Sequence, residues 1–298
     1  MLPPKAAKRP FSIKHHQDVR QDDYYWLRDD QRSDPEVLAY LAAENAYCEH
    51  QLAPTEALQQ TLYQEMTARL QPTDQSVPYF KRGYWYQQKF ERDCEYPVLV
   101  RHFDVLTAPE ECLLDLNQRA QETEYYDLGE ANVSPNQQLL AFSEDVLGRR
   151  SYQIYVKDLT SGLLLNDNIE ETSGEVIWGN DNTHFYYVKK HPVTLVPYQV
   201  FRHHLGAPAA EDQLIYQEAD DSFYVSLHKT RSQQFIVIGL YASTCSEAYF
   251  IDADQGGACP VLFQPRSQQV EYEVEHFAQQ IFVRTNAIGK NFALLACP

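Results

Sequence analysis

The sequence is poor in glycine, and its few glycines are scattered. It has 11 glycines in 298 residues, and no two of them stand four positions apart. A serine-hydrolase nucleophile elbow needs that spacing, because Gly-x-Ser-x-Gly folds as a sharp strand-to-helix turn. Phosphate-binding loops and dinucleotide fingerprints need clustered glycines as well. We therefore expect no catalytic residue and no cofactor-binding residue in this sequence.

Basic residues and long apolar runs are also scarce. Lys and Arg number 25 against 42 Asp and Glu, which gives a formal net charge of −17. A surface of that sign repels phosphate backbones, so we expect no nucleic-acid partner. No window approaches about 18 uninterrupted apolar residues, and polar residues follow Lys5, Lys8 and Arg9, so we expect neither a membrane span nor a signal peptide. The six cysteines form no Cys-x-x-Cys motif, which favours buried or free thiols in a reducing, cytoplasmic compartment.

Metal-binding patterns are missing too. The sequence has no His-Glu-x-x-His motif, and its paired histidines, His15-His16 and His203-His204, are direct neighbours. Neighbours on a strand point to opposite faces, so a tandem pair does not form one metal site. His191 and His228 stand near predicted turns, where solvent or backbone hydrogen bonds are the expected partners. We expect no metal site.

Charged clusters are the remaining features that invite a functional interpretation. We predict that the acidic clusters Glu122–Glu124, Glu170-Glu171 and Asp220-Asp221 lie on solvated loops, and that Arg149-Arg150 occupies an exposed turn. Acidic groups that line a channel would still attract cationic peptides. Basic peptides are therefore the partner class that the charge favours.

What the sequence does contain is a spaced repeat of strand patterns. A polar turn followed by an apolar run begins at residues 139, 185, 235 and 281, which are 46, 50 and 46 positions apart. Aromatic and apolar strands follow, as in Tyr152–Val156 and Tyr198–Arg202, and further strand candidates are Val176–Trp178, Phe223–Leu227 and Tyr272–Phe277. A period of about 40 to 50 residues with several strands per unit is typical of β-propeller blades.

The first 75 residues or so differ from the repeats. A cap at Ser33 or Asp34 and apolar residues at helical spacing predict helices over about 35–51 and 55–70. Leu58, Leu62 and Met66 recur every four residues, and we expect this apolar stripe to pack.

Together these patterns predict a mainly β chain. We expect an α-helical extension over 1–75 and an incomplete β-propeller over 76–298, with about four blades and the opening of a fifth. An open ring leaves an unpaired strand edge and an exposed apolar face. We therefore expect the chain to be part of something larger.

Longer segments resemble one peptidase family. The stretch Asp22–Asp30 is similar to the amino-terminal signature of the prolyl oligopeptidase family. His191–Val200, Asp220–Thr230 and Gly289–Phe292 resemble the oligopeptidase B branch of that family. The similarity extends over essentially the whole chain.

The resemblance implies a seven-bladed propeller that caps an α/β-hydrolase domain, in a serine endopeptidase that cleaves short peptides after Arg or Lys. The nucleophile, acid and histidine of that family lie in the carboxy-terminal hydrolase domain, which this sequence does not match. We therefore expect the chain to be inactive alone and to gate peptide access. Its expected partners are short basic peptides and that hydrolase domain, whether from the same gene or a separate chain. A stand-alone propeller that binds proteins is the alternative.

Overall fold

The computed structural model describes residues 1–297. Within them the chain forms two compact units, the first spanning Met1–Gln71 and the second beginning at Pro72. The first unit combines an antiparallel β-hairpin with two helices and two 3-10 turns. Its elements in chain order are β1 (Phe11–His15), β2 (Asp18–Asp22), a 3-10 turn (Tyr25–Leu27), α1 (Pro35–Leu52), a second 3-10 turn (Ala53–Thr55) and α2 (Glu56–Thr67). Both predicted helices are present, close to their predicted bounds.

The start of α1 follows from its capping residues. The Asp34 carboxylate accepts a hydrogen bond from the backbone amide of Glu36 at 2.8 Å. Pro35 occupies the first helical position, where a missing amide hydrogen costs no helical hydrogen bond. The predicted cap is confirmed, with Asp34 as the capping residue rather than Ser33.

Helix α2 presents its apolar stripe to solvent. Leu58, Leu62 and Met66 are 58%, 45% and 59% exposed, and α2 buries none of its residues. The prediction that this stripe packs is therefore wrong for the part of the chain that the structure describes, because nothing there covers that face.

The second unit consists of antiparallel sheets whose strands follow one another in sequence. The first sheet contains β3 (Asp74–Gln75), β4 (Tyr79–Lys81), β5 (Tyr84–Phe90), β6 (Val98–Phe103) and β7 (Glu110–Asp115), and the short helix α3 (Leu116–Ala120) follows it. The second sheet contains β8 (Asp127–Val133), β9 (Leu139–Asp145), β10 (Tyr152–Asp158), β11 (Leu164–Trp178), β12 (His184–Lys190), β13 (Pro197–His204) and β14 (Gln213–Gln217). The third contains β15 (Tyr224–Lys229), β16 (Phe235–Tyr241), β17 (Ser246–Asp252) and β18 (Val261–Gln264). The fourth contains β19 (Tyr272–Phe277), β20 (Gln280–Thr285) and β21 (Ala293–Cys297).

Left-handed backbone shapes two of the strand regions. A turn at Arg82 and Gly83, whose φ angles are 50° and 85°, separates β4 from β5. The predicted strand Val176–Trp178 is the end of a longer, bent strand, β11, which pairs with β10 through its first half and with β12 through its second half. Left-handed backbone at Glu171 and Gly174, with φ of 60° and 102°, bends β11 between the two halves.

A tight turn with a left-handed residue recurs between the first two strands of consecutive repeats. The left-handed residues are Gln137, Asn182, Gln233 and Gln279, with φ of 67°, 62°, 63° and 64°. They stand 45, 51 and 46 positions apart. This spacing follows the period of the sequence pattern and shows that each repeat folds with the same geometry.

The core lies between neighbouring sheets. Tyr186 and Val188 of β12 pack with Ile236 and Ile238 of β16, and all four side chains are at most 1% exposed. Phe142 of β9 is fully buried in a second cluster that includes the apolar residues of β7. Because each sheet covers the face of the next, the first strands of successive repeats are held in fixed positions.

Candidate functional site

The first strands of three consecutive repeats are tied together by hydrogen bonds. The Asn132 side-chain amide on β8 donates to the carbonyl of Val176 on β11 at 2.9 Å, and the Trp178 indole donates to the carbonyl of Asn132 at 2.8 Å. The ammonium group of Lys229, at the end of β15, donates to the carbonyl of Trp178 at 2.7 Å. These bonds place polar side chains of three repeats close together.

Glu130 on β8 and Glu175 on β11 form an acidic pair among these side chains. The Glu130 carboxylate accepts hydrogen bonds from the side chain of Asn132 at 2.9 Å and from the backbone amide of Val176 at 3.4 Å. Burial, together with the negative charge of Glu130, raises the pKa of Glu175 to about 7. Burial also raises the pKa of Glu130. A pair that is costly to ionise fully is stabilised by an incoming cation, such as a basic side chain.

A recess of the opposite charge is lined by residues of the same repeats. Lys81, Arg82 and Lys229 border a space of about 40 Å³, which Asn132 and Trp178 also line. We refer to this space and its three cationic side chains as the cationic recess. The first strands thus carry groups of both signs, which suits a ligand that is itself charged.

A buried Asp-His-Asp cluster links β11 to the repeat that follows it. The ring of His203 on β13 is 1% exposed, with Nδ1 2.7 Å from Asp212 and Nε2 2.9 Å from Asp167. The Tyr187 hydroxyl donates to Asp212 at 2.7 Å, and the Gly206 amide donates to Asp167 at 2.5 Å. Burial lowers the pKa of His203, but the bonds and charges of Asp212 and Asp167 outweigh burial and raise the pKa overall. A ring that donates from both nitrogens is an imidazolium, so the cluster is an ionic tie between strands.

Arginines hold buried carboxylates in a similar way near two junctions between sheets. Arg266 reaches Glu218 at 2.6 Å and Glu247 at 3.1 Å, and the two carboxylates are 6% and 8% exposed. Arg119 pairs with Glu144, whose side chain is 5% exposed. These pairs stabilise the loops between repeats. Because each carboxylate is neutralised by an arginine, it is not available as a catalytic acid or base.

One serine and one histidine lie within hydrogen-bonding distance. Ser232 Oγ is 2.7 Å from His276 Nδ1, and it also accepts a bond from the Gln234 amide at 3.2 Å. Over residues 1–297 no carboxylate bonds to the His276 ring, which packs edge-on against Phe235 at 5.0 Å. A nucleophilic serine needs a histidine that a third group orients, so this pair acts as a tie between the β15–β16 turn and β19.

Residues 3–298 match the family model described as "Prolyl oligopeptidase, N-terminal beta-propeller domain". The chain belongs to the prolyl oligopeptidase family. Its antiparallel sheets are those of the amino-terminal propeller, and the resemblance that the sequence segments indicated is confirmed.

Relatives of this propeller chain are considerably longer. Dipeptidyl aminopeptidase BI of Pseudoxanthomonas mexicana is 39% identical over 313 aligned residues, which cover 99% of this chain and 43% of that protein. Protease 2 of Moraxella lacunata is 32% identical, with coverage of 99% and 43%. The solved structure of oligopeptidase B from Leishmania major superposes with a TM-score of 0.93 at 29% identity, covering 100% of this chain and 44% of that one. The propeller chain thus spans less than half the length of these relatives.

The charged residues singled out in the sequence are exposed, as predicted, but Glu170 and Glu171 lie within β11 rather than on a loop. The exposed positions are Glu122, Glu124, Arg149, Arg150, Glu170, Glu171, Asp220 and Asp221. His191 Nδ1 accepts hydrogen bonds from the backbone amides of Val193 and Thr194, both at 3.2 Å, as expected near a turn. His203 is buried while His204 is exposed, which confirms that a tandem pair on a strand divides between two faces.

The sequence analysis missed Glu130, Glu175 and the partners of His203. A signal for the first two was available, because Glu130 and Glu175 stand 45 positions apart, the spacing of their two repeats. No local signal links His203 to Asp167 and Asp212, which lie 36 and 9 residues away.

Cysteines and membrane segments complete the description of the propeller chain. All six cysteines are free thiols, and Cys48, Cys94, Cys112 and Cys259 are exposed rather than buried. Among residues 1–297, no helix has both the length and the apolar character needed to cross a membrane. The same residues contain no group of three or more side chains suited to hold a metal ion.

Proposed function

We propose that this chain is the non-catalytic amino-terminal region of an oligopeptidase B-like serine endopeptidase, which cleaves short peptides after Arg or Lys. The observation that carries the proposal is the match of residues 3–298 to the amino-terminal propeller domain, in relatives of which the chain covers 43%. The nucleophile, acid and histidine then belong to a carboxy-terminal α/β-hydrolase domain, from the same gene or a separate chain. A cytoplasmic location fits the free thiols.

The blade assignment belongs to the same proposal. We interpret the seven-stranded sheet as two blades joined through β11, so that the four sheets correspond to four blades and the opening of a fifth. The propeller then occupies 76–298 and the helical extension 1–75. Three of the proposed blades begin with the hydrogen-bonded strands β8, β11 and β15, which we therefore place along the axis of the ring.

In this arrangement the propeller gates access to the hydrolase. A narrow axial passage admits short peptides and excludes folded proteins, and the acidic pair Glu130 and Glu175 favours peptides that carry basic residues. The exposed apolar stripe of α2, formed by Leu58, Leu62 and Met66, supplies a surface on which the hydrolase domain can pack.

Peptidase activity tests the division of roles. We expect no turnover of a fluorogenic Arg dipeptide by this chain alone, and turnover by a version extended through the downstream reading frame. That frame should encode a Gly-x-Ser-x-Gly elbow. Activity of the chain alone would overturn the proposal, and a downstream stop codon with a monodisperse, closed ring would favour a stand-alone binding scaffold.

The acidic pair has its own test in the extended, active protein. We expect E130Q/E175Q to raise KM about fivefold for a peptide with additional Lys residues, which corresponds to about 1 kcal/mol of attraction in a hydrated passage. A peptide whose single basic residue is the cleavage site should be affected less. The matched control E122Q/E124Q changes the net charge equally at exposed positions and should leave KM unchanged. An equal effect of both pairs would contradict the gating role of Glu130 and Glu175.

A further inference from the structure

The cationic recess brings together three positive charges that are remote in sequence. Lys81 ends β4, Arg82 lies in the turn that follows it, and Lys229 ends β15. All three line the same space of about 40 Å³. Like charges gathered in one recess repel one another unless an anion lies between them.

The hydrogen-bond partners of these cations are neutral. Lys229 Nζ donates to the carbonyl of Trp178 at 2.7 Å and to the side-chain oxygen of Asn180 at 2.6 Å. Arg82 Nη1 donates to the carbonyl of Pro135 at 3.1 Å. Within residues 1–297, no carboxylate lies within salt-bridge distance of Lys81, Arg82 or Lys229, whereas Arg266, Arg119 and Arg101 all have acidic partners. The recess therefore offers N–H donors and positive charge that no carboxylate of the described residues neutralises.

The lowered pKa of Lys229 shows that the nearby acidic residues do not offset its burial and the positive charges around it. Burial, followed by the positive charges of Arg82 and Lys81, lowers the pKa of Lys229 to about 8. Asp254 and Asp181 act in the opposite direction and are outweighed. Burial also lowers the pKa of Lys81, with a further contribution from Arg82. A bound anion would relieve this repulsion.

The remaining walls of the recess narrow the choice of anion. Val133 and Pro135 contribute partly exposed apolar surface beside the cations, whereas Ile177 and Trp178 are 8% and 3% exposed. A small inorganic anion keeps its hydration and gains little from such walls, whereas a carboxylate on an apolar body uses both kinds of surface.

We propose that the cationic recess binds an organic carboxylate that carries an apolar body, of which the C-terminal residue of a peptide is the source that best fits a peptidase propeller. The choice of a peptide as the source rests on the proposed function, but the oxyanion chemistry of the recess does not. The lysines and the arginine take the carboxylate within the recess, and the apolar body lies against Val133 and Pro135 at its edge.

Calorimetric titration of this chain tests the proposal without any hydrolase. The probes are N-acetyl-Ala-Leu with a free carboxylate, the same dipeptide as its C-terminal amide, and inorganic phosphate. We expect the acid to bind about tenfold or more tighter than the amide, because hydrogen bonds to a charged group are lost with the carboxylate. Affinity for the acid should fall as the pH rises past 8, where Lys229 loses its proton.

Variants assign the binding to the recess. K81M removes one cation that has no hydrogen bond to lose, and K229M removes the most buried one; each should weaken binding of the acid about tenfold. The control K14M makes the same change of net charge on the exposed strand β1 and should have no effect. If K229M fails to fold, K81M alone decides the result.

Each outcome bears on the proposal. Phosphate that displaces the acid from the wild type, but not from K81M, supports an oxyanion site and assigns it to free anions rather than to peptides. Equal binding of acid and amide, or binding that K81M leaves unchanged, overturns the proposal. Failure of the acid to bind the recess, together with full peptidase activity of the extended protein, would refute this inference and leave the proposed function intact.

Discussion

Replacing His203 by leucine tests whether the buried Asp-His-Asp cluster is an ionic tie. The imidazole lies between Asp167 and Asp212, and the three side chains are 1%, 4% and 2% exposed. H203L removes two charge-assisted hydrogen bonds, each of about 1.5 to 3 kcal/mol, and leaves two buried carboxylates without a counter-ion. Removing one partner of a buried ionic network costs about 3 to 5 kcal/mol. We expect a loss of stability of that size.

Urea unfolding of the full chain, followed by tryptophan fluorescence, measures this loss. With a slope of about 3 kcal/mol per molar urea, the midpoint should fall by about 1 M or more. H204L changes the exposed neighbour on the same strand. It should leave the free energy of unfolding within about 0.5 kcal/mol of the wild-type value. The variant D167N/H203L/D212N keeps acceptors for Tyr187 and Gly206 without the buried charges, so we expect it to recover much of the loss.

The pH dependence supplies a second readout for His203. Its pKa in the folded chain lies above the ordinary value of 6.5, so its stabilising contribution is complete below pH 6.5 and is lost as the pH rises through the folded-state pKa. The wild type should show this decline and H203L should not. A midpoint for H203L that equals that of H204L, or an unchanged pH profile, would refute the ionic interpretation.

Three further predictions concern Glu175, Gly174 and Arg266. The pKa of Glu175 is raised from 4.5 to about 7, so E175Q should stabilise the protein above pH 7 by at most about 3 kcal/mol and have no effect below pH 4.5, as measured by urea unfolding at the two pH values. G174A should destabilise the protein more than G162A in thermal unfolding. Both glycines have positive φ, but of the two only Gly174 would bring a Cβ against the Tyr152 ring, at 3.0 Å. Equal effects of the two substitutions would show that backbone strain alone matters. R266M leaves two buried carboxylates unpaired and should cost about 3 to 5 kcal/mol at pH 7, with a smaller loss near pH 4, where carboxylates take up protons.

Local chemistry in the sequence predicted the elements that depend on near neighbours. The helix start at Asp34 and Pro35 is specified by capping residues within a few positions, and the strands Phe223–Leu227 and Tyr272–Phe277 by local alternation. The repeat period was also visible in the sequence, in the apolar runs that begin at residues 139, 185, 235 and 281. These features follow from interactions within one repeat.

Features that depend on contacts between repeats were not predictable from the single sequence. The predicted strand Val176–Trp178 extends backwards into the longer strand β11 through the bends at Glu171 and Gly174, and residue type does not specify the positive φ angle at Glu171. The cationic recess joins Lys81 to Lys229, and only the stacking of successive sheets brings them together. The exposure of the α2 stripe was predicted wrongly because the helical period gives the apolar face but not what covers it.

A strand shared by two repeats makes them a single mechanical element. The hydrogen-bonded sheet from β8 to β14 is continuous through the backbone of β11, so these two repeats share one strand. In the proposed gating role, the pore would widen where only a loop connects one sheet to the next, as between β7 and β8 or between β14 and β15. A peptide passing through would therefore meet one stiff wall, and the hinges would lie at its two borders.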